Sequence, residues 1–189
     1  QGDWSSDVCS SDLGSSKMEH VVHRAIEDRQ RPIRENLRIG YGLQRLSLTT
    51  SQSQGTIREA QRRYRNHNNG RPFVRDQVFQ KLAESSKNQS FDPEKLKNDL
   101  SSTLAIRQTL DWMWPSLAAE HLIHDLFGSQ SLLQSAAGQY LAQDAIQALY
   151  RPRSLHASQV DWTSQDVPIL DEAQAQLGPR GGEKEEETI

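Results

Sequence analysis

The chain has 189 residues, enough for one domain or slightly more. Hydrophobic residues make up only 34% of it and the mean hydropathy is -0.78, which argues against a self-sufficient globule. From Gly14 to Lys81 there are 14 Lys and Arg against 6 Asp and Glu, net +8, whereas Asp166 to Ile189 holds 2 against 7, net -5. The basic half calls for an acidic partner, and the acidic end reads as a solvated tail.

Residues Asp3–Leu13, reading DWSSDVCSSDL, look like one frame of a sequencing-library adapter translated into protein, and residues 1–13 are set aside as non-native. They contain Cys9, the single cysteine, so the remainder has no disulfide, no thiolate nucleophile and no cysteine-ligated zinc. No secretory apolar segment follows, and no run approaches the roughly 18 apolar residues of a membrane span. The expectation is a cytoplasmic chain without a membrane partner.

Lys17 to Gln30 carries Val21, Val22, Ala25 and Ile26 at helical spacing and is closed by Pro32. Period-two alternation on both sides of Gly42, from Leu37 to Leu48, predicts a hairpin that needs a cover for its apolar face. Gly55 to His67 predicts a helix with Ile57, Ala60 and Tyr64 on one face and Arg58, Arg62 and Arg65 on the next. Asn68-Asn69-Gly70 would end it through a left-handed residue. Those arginines, extended by Arg63 and Arg71, can follow a phosphate backbone; an ordinary solvated basic face, or salt bridges to a neighbouring domain outside this piece, is the bland alternative.

Phe73 to Ser85 continues the helical period through Val74, Val78 and Leu82. After a polar break at Ser85–Gln89, Asp92-Pro93 caps a long helix with Leu96, Leu100, Leu104 and Leu110 on one side, running to Trp112-Met113-Trp114 before Pro115. Glu120–Phe127, ended by Gly128, then Ser129–Ala137 and Leu141–Tyr150 are further helices, and Arg151-Pro152-Arg153 breaks the pattern. No internal repeat is visible.

Ile169-Leu170-Asp171-Glu172-Ala173-Gln174 looks like the magnesium-binding box of superfamily 1 helicases, whose carboxylates must end a buried strand facing a phosphate loop. Pro168 opposes a strand there. Asp166 as N-cap, Pro168 in the first turn, Val167, Leu170, Ala173 and Leu177 on one face and Gly178 as the stop predict an amphipathic helix instead. No Gly-x-x-x-x-Gly-Lys-Ser/Thr loop occurs, and Gly40-Tyr41-Gly42 lacks the rest of a dinucleotide fingerprint. His20 with His23, and His121 with His124, could each share a metal but lack a third ligand, so no metal site is assigned. Trp112, Trp114 and Trp162 read as core or interface anchors that could also stack on bases.

Several runs, in order, resemble the middle of actinobacterial HelD-type helicases. They are His23-Arg-Ala-Ile-Glu-Asp-Arg-Gln-Arg-Pro32, the Leu37–Leu48 hairpin, Arg62-Arg-Tyr-Arg-Asn-His-Asn68, Trp114-Pro115, Asp125-Leu-Phe-Gly-Ser129 and Trp162-Thr-Ser-Gln-Asp-Val-Pro-Ile-Leu-Asp-Glu-Ala173. The resemblance covers nearly everything after the adapter. It implies a superfamily 1 motor related to UvrD and Rep, a DNA helicase or translocase that binds RNA polymerase and uses ATP to help free it from nucleic acid. The parent would then use ATP and Mg, with its phosphate loop before Gly14 and its true acidic box after Ile189; this piece carries no cofactor and no catalytic residue.

The fold expectation is mostly α with a small β-hairpin, cut from an α/β P-loop motor domain with a helical insertion. Residues 14–160 belong to motor domain 1 and its insertion, 161–178 form the amphipathic helix, and 179–189 are an acidic linker cut short. The rival expectation is a small helical nucleic-acid-binding module without enzymatic activity.

Overall fold

The computed structural model describes residues 15–87, 90–152 and 154–181; the adapter-like stretch with Cys9, Arg153 and the acidic tail from Gly182 lie outside the described residues. In chain order the elements are α1 (Ser15–Glu27), β1 (Leu37–Tyr41), β2 (Gln44–Leu48), α2 (Thr50–Arg63), α3 (His67–Glu84), α4 (Pro93–Leu100) and α5 (Leu104–Met113). They continue with α6 (Ala119–Phe127), α7 (Gln130–Ala137), α8 (Gln143–Leu149), a 3-10 turn at Ala157–Gln159 and α9 (Val167–Leu177). The mostly helical fold with one hairpin is as expected. Among the described residues no helix is long and apolar enough to cross a membrane.

The described residues divide into two compact units: 15–28 with 117–178, and 29–116. In the first, α1 packs on α7 and α9, and α6 on α7 and α9. Val21, Val22, Ile123, Leu133, Ala137, Ala173 and Leu177 are fully buried there. On α9 the buried face runs Ile169, Ala173, Leu177, and Val167 is exposed, so the apolar stripe sits one step round from the expected one. The expected cap is also different. Asp166 makes no side-chain cap to α9, because its carboxylate accepts from Thr163 and Arg151 instead.

In the second unit the hairpin pairs Leu37 with Leu48 and Tyr41 with Gln44. Its loop is Gly42-Leu43, with φ 57° at Gly42 and no positive φ at Leu43, the pattern of a type II′ turn that follows the twist of the strands. Leu46 and Leu48 are fully buried, and β2 packs against α3, which supplies the cover the sequence left unassigned.

Three boundaries depart from expectation. Helix α2 begins five residues before Gly55, at a capping box in which Gln52 N donates to Thr49 Oγ1 at 3.2 Å and Thr49 N donates to Gln52 Oε1 at 2.9 Å. It ends at Arg63, and Asn68-Asn69-Gly70 open α3 rather than close α2. Gly70 serves close packing: a Cβ there would lie 2.8 Å from Trp114 Cζ2. The long helix expected from Pro93 to Trp114 is two helices. Ser101 bonds to Lys97 O through both N and Oγ, and Thr103 bonds to Leu100 O through N at 2.9 Å and Oγ1 at 2.7 Å, so the chain closes into a turn after Leu100 instead of carrying the helix on. The break shifts the phase and leaves Leu104 63% exposed.

Gly70→Ala should therefore destabilise the protein by roughly 1–2 kcal/mol in urea denaturation, because overpacking against a fixed indole outweighs the helix-propensity gain. A neutral or stabilising outcome would show that the indole can yield.

Candidate functional site

The expected basic face is only partly assembled. Arg58 and Arg62 are exposed on α2. Arg65 is exposed too but follows the extended Tyr64, so it lies off the helix and does not continue a helical stripe. Arg63 reaches Glu59 at 2.5 Å and lies 4.9 Å from the centroid of Phe73, an arrangement that partly neutralises it. Arg71 does not extend the patch. Its guanidinium turns inward, donating to Trp114 O at 2.6 Å and to Asp111 Oδ1 at 2.8 Å, where a cation at the C-terminal end of α5 is favoured by the helix dipole. Arg58, Arg62 and Arg65 remain available to an acidic partner.

A second cationic group was not singled out from the sequence. Between α1 and β1, the arginine carbons Cζ of Arg31 and Arg34 lie 3.8 and 4.4 Å from the Trp112 ring centroid. The segment is pinned: Arg31 N donates to Met113 O at 3.0 Å, Trp112 Nε1 to Pro32 O at 2.8 Å, and Ile33 N to Ser53 Oγ at 3.1 Å. Arg31 Nε is buried and unbonded. Burial first, then the charges of Arg29 and Arg34, make Arg31 a weaker base than an ordinary arginine. The density of arginines from Arg29 to Arg38 was the available signal; the stacking was not legible.

His67 is a buried structural group. Its ring stacks on Trp114 at 4.9 Å and 4°. Nε2 lies 2.6 Å from Pro115 O and Nδ1 3.0 Å from the Gln30 amide nitrogen, which fits a neutral ring donating from Nε2 and accepting at Nδ1. Gln61 in turn donates to Gln30 Oε1 at 2.8 Å. Burial pulls the His67 pKa down from 6.5 to about 4.

In the other unit Arg151 donates to both oxygens of Asp166, at 3.0 and 2.5 Å. Asp166 is 1% exposed, and the Arg151 bond holds its carboxyl below the usual carboxylate range. Beside this pair a cavity of about 240 Å³ is lined by His124, Phe127, Ser154 and Trp162 among others. The histidine pairs do different things: His20 stacks on Tyr140, His23 lies 3.4 Å from Glu27, and His124 lies 3.1 Å from Ser154 O. Among the described residues no three His, Cys, Asp or Glu side chains converge as metal ligands. Asp171 and Glu172 sit on helix α9, Asp171 exposed and Glu172 accepting from Gln176 at 2.7 Å.

No protein-family model matches the chain, and no curated protein matches it.

The His67 pKa sets a pH dependence. Its folded value lies below its unfolded value, so the folded state resists protonation; the stability this represents is complete above pH 6.5 and is lost as pH falls towards 4. Denaturant titrations at pH 7.5 and pH 5 should show a loss of roughly 2 kcal/mol attributable to this ring. His67→Gln should lose correspondingly less over the same interval, and equal losses in the two proteins would contradict the assignment.

Proposed function

We propose that the chain is an internal part of a HelD-type, ATP-driven motor acting on RNA polymerase and DNA, and that its own task there is contact rather than catalysis. The observation that carries this is the ordered series of HelD-like runs from His23 to Ala173. A helical Asp171-Glu172 with Asp171 facing solvent is consistent with that reading, since the magnesium box of such a motor belongs on a buried strand elsewhere. Arg58, Arg62 and Arg65 are the side chains proposed to meet polymerase or nucleic acid, with Arg63 in a supporting place and Arg71 withdrawn to the fold. ATP and Mg would be bound by the parent, in the cytoplasm.

A second reading, a small helical nucleic-acid-binding module without enzymatic activity, is favoured by one observation: each unit closes its own hydrophobic core. Genomic sequence on both sides of the chain separates the two. The motor reading expects a Gly-x-x-x-x-Gly-Lys-Ser/Thr loop upstream and an apolar strand ending in Asp-Glu-Ala-Gln downstream. A start codon near Met18 with a stop after Ile189 would overturn it in favour of the module. Under either reading the isolated chain should show no ATPase activity.

A further inference from the structure

In a two-residue hairpin the pair that closes the loop, Tyr41 and Gln44, is hydrogen-bonded, and bonded and non-bonded pairs then alternate along the ladder. Arg38↔Ser47 and Gly40↔Arg45 fall on the non-bonded steps, so their backbone groups point away from the partner strand. Ser47 confirms the phase, sending its N–H outward to Ser85 Oγ at 2.9 Å. On the opposite edge, the N–H and C=O groups of Arg38 and Gly40 have no hydrogen-bond partner among the described residues. Both residues are exposed, and a Cβ on Gly40 would meet nothing within 4 Å.

At the start of this open edge lies a groove of about 410 Å³ between β1, the segment before it and α5. Ile33, Leu37, Ala105 and Trp112 give it apolar walls, and Arg34 and Arg38 stand at its margin; Glu35 is the one acid lining it. We propose that β1 receives an extended acidic segment of a partner protein as a third strand. Its backbone would bond to Arg38 and Gly40, one apolar side chain would enter the groove, and alternate carboxylates would pair with Arg34 and Arg38. Nucleic acid fits less well. The ring on which a base would stack, Trp112, already has two guanidinium groups against it, and phosphates have no use for apolar walls. The segment leading into β1 is already pinned by hydrogen bonds at Arg31, Ile33 and Trp112, so it loses little entropy on binding. The proposal assigns a ligand chemistry to a surface that the motor reading does not use, and it holds or fails independently of that reading.

The test uses the full chain and a fluorescein-labelled ten-residue peptide of alternating Glu and Val with one central Leu, followed by anisotropy. The expected result is saturable binding, weakened about tenfold by Arg34→Glu with Arg38→Glu. Binding should be lost with Gly40→Pro, which removes an outward N–H without touching the ladder, and with a peptide N-methylated at alternate residues. Circular dichroism verifies that the variants fold, and the N-methylated peptide reads the same contact on the unaltered protein. Absence of binding, equal binding of a Lys/Val peptide, unchanged affinity after N-methylation, or equal competition by a twelve-residue oligothymidylate would each overturn the proposal.

Discussion

The second unit depends on one buried indole. Trp114 is 1% exposed, stacks on His67, donates from Nε1 to His67 O at 2.6 Å, and fills the space that the missing side chain of Gly70 leaves. The carbonyls at the end of α5 are satisfied by the start of α3, Trp114 O by Arg71 and Pro115 O by His67. Burying an aromatic of this size is favourable only when its N–H finds an acceptor and its neighbours fit its plane. A histidine, a glycine and an arginine within five residues meet those conditions together, which explains why α3 begins where it does despite a sequence that favours a turn.

That arrangement also decides which cations are structural and which are available. Arg71 is consumed at the end of α5, and Arg63 is balanced by Glu59 and Phe73. Two groups stand apart from these: Arg58, Arg62 and Arg65, exposed on and just after α2, and Arg31 and Arg34 against Trp112. Like charges are held close at the second place because the backbone around them is fixed by hydrogen bonds, and such preorganisation favours an incoming anion over solvent.

Much of this could be read from residue patterns alone. Alternation around Gly42 located the hairpin, Asp92-Pro93 located the start of α4, and Pro168 with Gly178 bounded α9, because each of these signals is local and has a single steric cause. Tertiary packing overrode the rest. Asn68-Asn69-Gly70 has the composition of a helix stop, yet Gly70 is there for the sake of an indole 44 residues later. The leucine spacing from Leu96 to Leu110 looks continuous, but Ser101 and Thr103 bond to the preceding turn and break it. For the site, partners separated Arg58, Arg62 and Arg65 from Arg63, which meets Glu59 and Phe73, and from Arg71, which bonds to Trp114 O and Asp111, and a count of charges carries no information about partners. The T-x-x-Q capping box at Thr49 was legible and would have placed the start of α2 correctly.

The claim that the chain works by contact through its free arginines is tested most directly by its binding to purified bacterial RNA polymerase core enzyme at several salt concentrations. The account predicts measurable affinity that falls with salt and that is reduced by Arg58→Glu, Arg62→Glu and Arg65→Glu together, with unfolding unchanged. Affinity that is indifferent both to salt and to the three substitutions, or no binding at any salt concentration, would contradict it.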